Sequence, residues 1–220
     1  MLKKVIIIGV VIVAIGAIVL YAIPWGEYES ELEKSELQNE VTYDKTAEVT
    51  APSITEGTYS VRSTDSKNAE ILFTTSGLKD TKGGFGEFEI SFEVKADFKN
   101  SLLDVVIQTA TINTGNVMRD EHLVEADFFD AATYPTIEYH STAIDFGDTS
   151  YITKGSLTLN GTTKELDIPF LHKGGGENNG KSFEAFEGNV TFDRTKYGQT
   201  ESSGVGNDVT ISFYCELVKK

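Results

Sequence analysis

The sequence is poor in the residues that build metal centres, disulfide frameworks and nucleic-acid interfaces. One cysteine among 220 residues excludes an internal disulfide and a cysteine-based zinc cluster, and three histidines leave little material for any other metal site. Basic residues number 19 against 34 acidic ones, a formal net charge of −15, which argues against a nucleic acid as partner. Hydrophobic residues make up 40% of the chain, enough for one sizeable core, and no motif calls for a cofactor.

The N-terminus carries the one long uncharged stretch, positions 5–23. At about 1.5 Å of rise per residue, a helix over these positions nearly spans a hydrocarbon layer of about 30 Å. Lys3 and Lys4 precede the stretch and acidic residues follow it, which predicts a cytoplasmic N-terminus. Trp25 and Tyr28 would lie near the outer interface. We therefore expect residues 1–26 to be a single-pass transmembrane anchor in the cell membrane.

A cleaved secretory signal is the alternative for this stretch. Such signals have a shorter apolar region, about 7–15 residues, and end in a small-x-small cleavage site. Residues 21–25 read Tyr-Ala-Ile-Pro-Trp and offer no good site. Residues 27–56 follow with nine acids and two lysines, and we interpret them as a solvated linker that sets a distance from the membrane.

From Gly57 onward, apolar and polar residues alternate in short runs, a pattern typical of half-buried antiparallel strands. In residues 87–95, Phe88, Ile90, Phe92 and Val94 alternate with polar neighbours. Eight or nine strands are predicted, at 59–61, 71–73, 87–95, 102–109, 137–144, 155–159, 165–171, 183–192 and 209–218.

Two local features complete this picture of residues 57–220. Asn160-Gly161 predicts a hairpin turn, and residues 117–130 have the spacing of a helix inserted between strands. A sheet of this size with one apolar face has to close into a barrel or pair with a second sheet.

The apolar face is rich in phenylalanine. It either fills the core or lines a cavity for an apolar chain, and periodicity alone does not separate the two. The candidate ligand-binding residues are Phe73, Phe85, Phe88, Phe92, Val105, Ile107, Phe128, Tyr139, Phe170, Phe186, Phe192 and Phe213.

The sequence offers no good catalytic constellation. Arg119-Asp120-Glu121-His122 can be taken for an active site, but acids near the start of a helix explain it better. Cys215 alternates with apolar residues and is interpreted as a buried side chain. We therefore expect no catalytic residue, no metal ligand and no enzymatic activity.

Several ordered motifs resemble the YceI-like family over about residues 58–217. They are LDVVI at 103–107, TINTGN at 111–116, RDEHL at 119–123, DFFD at 127–130, YPTI at 134–137, GSLTLNGTTK at 155–164, and Phe186 with FDRTKYG at 192–198. The resemblance implies an eight-stranded antiparallel, lipocalin-like barrel. It also implies a secreted bacterial protein, since family members are described as such, and some hold a polyisoprenoid or other lipid chain inside the barrel.

One departure from the family pattern concerns the ligand head group. Relatives often carry a histidine in the loop before the Gly-Gly segment, whereas residues 75–83 contain none. Lys79, Lys82 and Arg119 are the candidate cations for a head group instead.

The resulting hypothesis is an extracytoplasmic binding protein, periplasmic or on the cell surface, that sequesters or carries a hydrophobic small molecule. The membrane is its second partner, through the N-terminal helix, and a homodimer is a further expectation. The alternatives are a structural or adhesion module with a filled core and, less favoured, a lipid-modifying enzyme.

Overall fold

The structure, a computed structural model, describes residues 28–30, 54–77, 80–147, 150–178, 180–201 and 204–220. The predicted anchor at 1–26 and most of the predicted linker lie outside these ranges. Within them, no helix has the length and apolar character that crossing a membrane requires.

The described residues form twelve strands and one short helix. The strands are β1 Gly57–Arg62, β2 Ala69–Gly77, β3 Thr81–Phe85, β4 Phe88–Val94, β5 Leu102–Gln108, β6 Ile112–Asn113, β7 Thr136–Phe146, β8 Tyr151–Leu159, β9 Thr162–Glu165, β10 Ile168–Asn178, β11 Lys181–Asp193 and β12 Val205–Lys219. Helix α1 is Val117–Leu123, and 3₁₀ turns lie at Phe98–Asn100, Thr109–Thr111 and Arg194–Tyr197.

Eight of the strands form a closed antiparallel ring, in the order β1-β4-β5-β7-β8-β10-β11-β12, with β12 pairing back to β1. The predicted all-β class, eight-stranded ring and inserted helix are confirmed. The helix is shorter than the predicted 117–130, because it ends at Leu123 and turns follow.

Four further strands flank the ring; the sequence analysis predicted β2, at 71–73, and missed β3, β6 and β9. β2 pairs with the first part of β12, β3 pairs with β2, and β6 pairs with β3, while β9 forms a hairpin with β8. None of the three missed strands alternates visibly: β3 reads TKGGF, β6 has two residues and β9 is the polar TTKE.

The hairpin turn predicted at Asn160-Gly161 is confirmed. Both residues have positive φ, 49° and 67°, which is the left-handed geometry of a two-residue hairpin turn. Leu159 and Thr162 pair directly across it. Asn160 also donates from Nδ2 to the Phe128 carbonyl at 2.6 Å, which fastens the segment after α1 to this end of the ring.

The outer face of β5 and β7 carries a charged group around His140. Its Nδ1 lies 2.7 Å from Asp104 and its Nε2 lies 3.3 Å from Glu138. The hydrogen bond to Asp104 raises the pKa of His140 above its usual value. The hydrogen bond from the Thr136 hydroxyl lowers the pKa of Glu138 most, and the hydrogen bond to His140 lowers it further.

The register of β4 is tested by comparing neighbouring residues on its two faces. Phe92 is 2% exposed and contacts three other phenylalanines, whereas Glu93 is exposed. Phe92→Ala is expected to lower the free energy of unfolding by about 3–5 kcal/mol, and Glu93→Gln to change it by less than about 0.5 kcal/mol. Urea denaturation measures both, and equal shifts would show that the assigned register is wrong.

The His140 group predicts a pH-dependent contribution to stability. A raised pKa in the folded state stabilises the fold fully below the unfolded pKa of about 6.5, and this stabilisation is lost as pH rises through the folded value. His140→Gln is therefore expected to destabilise the protein at about pH 6 and to have little effect at about pH 9. Asp104→Asn should remove the same dependence. Melting temperatures across this range test both variants, and parallel curves for wild type and His140→Gln would contradict the assignment.

Candidate functional site: an apolar cavity inside the barrel

Aromatic side chains close one end of the ring, where β4 ends and β8 begins. Phe92 lies 5.5 Å from Phe186 and 6.4 Å from Phe170 between ring centroids, in edge-to-face geometry. Tyr151 stacks on Phe170 at 5.1 Å, and Phe98 packs against both Phe92 and Tyr151. Alternation places the four strand residues inward, and Phe98 lies on a 3₁₀ turn beside them. Edge-to-face packing is a favourable arrangement for aromatic rings. We name these five residues the aromatic end.

Beyond the aromatic end, the ring encloses a cavity of about 170 Å³. A cavity of roughly 150 Å³ accommodates a benzene-sized guest, whereas typical small-molecule sites have roughly 300–1,000 Å³. The interior is therefore not packed solid, and a long chain would have to displace some of the side chains that line it. Eleven of the twelve candidate ligand-binding residues line this cavity: Phe73, Phe85, Val105, Ile107, Phe92, Phe128, Tyr139, Phe170, Phe186, Phe192 and Phe213.

Phe88, the twelfth candidate, lies elsewhere. It is buried, but it borders a second, surface pocket together with Tyr28 and Asn113. Phe85 borders both this pocket and the central cavity, so one aromatic ring lies between them. Phe85 packs against Phe73 at 5.8 Å and Phe129 at 6.2 Å.

Two polar side chains in the cavity wall satisfy each other and the backbone. The Tyr139 hydroxyl lies 3.1 Å from the Leu166 carbonyl and 3.2 Å from Thr153 Oγ1. Burial raises the pKa of Tyr139 to about 12, so its hydroxyl stays protonated at neutral pH.

Cys215 also lines the cavity, and burial raises the pKa of its thiol to about 12, which disfavours the reactive thiolate.

The end of the cavity opposite the aromatic end contains a buried arginine. Arg194 is 2% exposed, follows β11 and lines the cavity together with Gln199. Its Nε donates to the Gly206 carbonyl at 2.9 Å, Nη1 to that of Thr200 at 2.8 Å and Nη2 to that of Val205 at 3.3 Å. Burial lowers the pKa of Arg194 from its usual value. Gln199 is 6% exposed, and its Nε2 lies 3.4 Å from Asn160 Oδ1.

Sequence reasoning missed both Arg194 and Gln199 as site residues. The available signal was the position of Arg194, directly after the alternation of β11 ends and within a motif of the YceI resemblance. A charged residue at the end of a strand is ordinarily exposed. The burial of Arg194 depends on its contacts with the start of β12, which the local sequence pattern does not show.

The two predicted head-group cations that the structure describes, Lys82 and Arg119, do not line the cavity. Lys79 lies outside the described residues. Lys82 is exposed and pairs with the exposed Thr74, so the register places it on the outer face, while the neighbouring pair Phe73 and Gly83 faces inward. Arg119 donates from Nε to Thr114 Oγ1 at 2.7 Å and from Nη2 to the Thr114 carbonyl at 2.9 Å. Arg119 therefore fastens the start of α1.

The Arg119–His122 motif has the helical setting that the sequence analysis favoured. Asn116 caps α1 by accepting from the Arg119 amide at 3.1 Å, and Asp120 Oδ1 accepts from the Thr114 amide at 2.9 Å. His122 is exposed and pairs with Asp127 at 3.0 Å. Within the described ranges, no group of three or more His, Cys, Asp or Glu side chains has the geometry to hold a metal ion.

Comparison with known proteins gives one consistent result. A UPF0312 protein of Vibrio cholerae (serotype O1, strain M66-2) is 30% identical over 162 residues, covering 71% of this chain and 85% of that protein. The crystal structure of the Campylobacter jejuni YCEI protein matches with a TM-score of 0.59 at 24% identity, covering 82% of this chain and 98% of that one. A polyisoprenoid binding domain from Saccharophagus degradans matches with a TM-score of 0.55 at 12% identity, covering 76% and 100%.

These solved structures share the fold of the ring described above. The family model of the YceI-like domain matches residues 59–217, which begin within β1, end within β12 and include all or most of every strand of the ring. The chain belongs to the YceI-like family.

Proposed function

We propose that the protein binds a long-chain hydrophobic molecule, such as a polyisoprenoid or another lipid chain, inside its barrel and sequesters or carries it. The apolar cavity between the aromatic end and Arg194 is the observation that supports this function most directly. The family relationship agrees with it, because one structural neighbour is described as a polyisoprenoid binding domain.

The energetics of such a site follow from the apolar wall. Each methylene transferred from water into the cavity contributes about 0.8 kcal/mol, and a chain needs no directional contacts along its length. The flat and edge-on aromatic surfaces also tolerate chains of different branching, since dispersion contacts are not directional. Affinity is therefore expected to depend on chain length until the cavity is full.

The structural or adhesion alternative requires a packed interior, and the cavity of about 170 Å³ argues against it. A lipid-modifying enzyme is the second alternative. It differs from a carrier in one measurable respect, because its ligand would leave the barrel chemically changed. The expected homodimer stays a prediction.

An extracytoplasmic position at the cell membrane is the second part of the proposal. It is supported by the uncharged stretch 5–23, the two lysines before it and the acids after it.

Residues 28–30 add a distance constraint, because they lie against the barrel. A Cβ on Gly84 would be 2.7 Å from the Tyr28 hydroxyl, and the Ser30 hydroxyl donates to Glu70.

Tyr28 is five positions after Ile23, and five extended residues reach at most about 18 Å. If 5–23 spans the membrane, the outer face of β2 and β3 therefore lies close to the bilayer. This differs from the expectation that the whole of 27–56 sets a distance between membrane and barrel.

Ligand binding is expected to become tighter with each added methylene, by up to nearly fourfold in Kd, and then to reach a plateau. Ile211 lines the cavity, so Ile211→Trp should move the plateau to a shorter chain. Its exposed neighbour Ser212 provides the control, since Ser212→Trp should leave the plateau unchanged. Titration of the wild-type protein and of both variants with fatty alcohols of increasing length measures the plateau of each protein.

Two results of that titration would count against the proposal. Absence of binding by every apolar chain would favour the structural module, and equal plateaus in the two tryptophan variants would show that the ligand lies outside the cavity. Mass spectrometry of the bound molecule before and after incubation distinguishes a carrier from an enzyme.

The membrane proposal predicts that the full chain stays in the membrane fraction after carbonate extraction, while deletion of residues 1–26 releases it. It also predicts an orientation. A fluorophore on Lys82→Cys, in β3, should be quenched by lipids with quencher-labelled head groups more than one on Lys181→Cys, at the opposite end of the barrel. Isolation of a mature protein that begins near Ile23 would contradict the anchor.

A further inference from the structure

We infer that Arg194 and Gln199 form a subsite for the head group of the ligand, and that this head group is an oxyanion, a carboxylate or a phosphate. This inference rests on the proposed lipid-binding function and adds the chemistry of the ligand to it. Of the three cations that the sequence analysis selected, Lys82 lies on the outer face and Arg119 is bound to Thr114, while Lys79 lies outside the described residues.

The first argument is the unused hydrogen-bonding capacity at this end of the cavity. A guanidinium has five N–H donors, and the contacts of Arg194 with three carbonyls use three of them. Gln199 makes one long contact, from Nε2 to Asn160 at 3.4 Å. Both side chains are more than nine-tenths buried and both line the cavity. Buried donors are ordinarily satisfied, and the spare N–H groups of Arg194 and Gln199 are available to an acceptor that a ligand brings into the cavity.

The second argument is charge. Among the described residues, no carboxylate forms an ion pair with Arg194. Asp193 and Glu201 attract it from a longer distance, and its three hydrogen-bond acceptors are neutral carbonyls. A buried cation without a directly bound counter-ion is costly, and an anion brought next to it inside the barrel recovers part of that cost. An arginine also presents paired N–H groups that match the two oxygens of a carboxylate or phosphate.

The third argument is position. Arg194 follows β11 eight residues after Phe186, which belongs to the aromatic end, and eight extended residues cover about 26 Å. At the aromatic end, the inward-facing His172 is paired with Glu184 at 2.7 Å, so a carboxylate already accompanies the polar group there. The cavity therefore has one end suited to an apolar tail and another suited to an anionic head.

A purely structural role for Arg194 is the competing explanation, since its carbonyl contacts connect β11 to the start of β12. That role affects stability but gives no preference between head groups. The test is therefore the ratio of affinities for ligands that differ only in the head group, measured in folded protein.

The experiment titrates the full chain, freed of bound lipid, with dodecanoate, dodecyl phosphate, dodecanol and dodecyltrimethylammonium below their micelle concentrations. We expect one or both oxyanions to bind at least about tenfold more tightly than the alcohol, and the cation more weakly than the alcohol. Because the subsite is buried, the ratio should persist in 0.5 M salt, at roughly half the Debye length of physiological buffer. The two oxyanion arms distinguish a carboxylate from a phosphate ligand.

Arg194→Gln should reduce the oxyanion-to-alcohol ratio to about one while alcohol binding changes little, and Arg194→Lys should keep part of the preference. Lys196→Gln is the matched control, because this lysine lies two residues away with 68% of its side chain exposed, and the ratio should not change. Gln199→Leu, which leaves the Arg194 contacts in place, should lower the ratio and keeps the test valid if Arg194→Gln fails to fold.

Equal binding of oxyanions and alcohol by the wild-type protein would overturn the inference and leave the proposed function intact. The same conclusion would follow from a preference that survives in both Arg194→Gln and Gln199→Leu. If none of the four compounds binds, the proposed function fails and the subsite fails with it.

Discussion

The whole site depends on the closure of the ring through β12. This 15-residue strand pairs with β11 along most of its length, with β2 through its first part and with β1 at its end. The contact with β1 has only two register pairs, Tyr59 with Lys219 and Ser60 with Val218. Without this short ladder, the inward faces of the eight strands would have no opposite wall and the cavity would open along its side. The closure has to be exact in register, because a one-residue slip exchanges the inner and outer faces.

Once the ring is closed, its two ends are chemically different. The aromatic end is a cluster of rings 5.1–6.4 Å apart, and beside it His172 forms a hydrogen bond with Glu184 at 2.7 Å. The opposite end is built from loops, and β12 begins there by folding over Arg194. A chain inside a symmetric apolar tube would have no preferred direction. In the proposed site, the buried guanidinium of Arg194 would give the chain a direction, and along the apolar wall between the ends the chain length would set the affinity.

The sequence predicted what depends on local pattern and missed what depends on distant contacts. Alternation identified the ring strands, and the positive-φ pair Asn160-Gly161 was visible as a turn. β3 was not visible, because Gly83 has no side chain to display the alternation. Gly83 is there for packing: a Cβ would lie 2.4 Å from the Phe73 ring. The alternation predicted that the phenylalanines would be buried. It did not predict the cavity between them, because the face of the strand on which a residue lies does not determine how densely the opposite wall of the barrel packs against it.

The charge of the molecule limits how an anionic ligand reaches Arg194. Residues 57–220 contain 25 acidic and 15 basic residues, a net charge of −10, so an anion approaching through water is repelled. A lipid moving sideways from a bilayer avoids most of this barrier, because its head group stays at the interface until it enters the barrel. The contact of Tyr28 with β3 is consistent with that route, since it places the β2–β3 side within about 18 Å of the end of the uncharged stretch. If the proposed anchor and the proposed head-group subsite are both correct, the acidic outer surface, the buried cation and the short connection to the anchor together favour exchange of the ligand with the membrane over exchange with the solution.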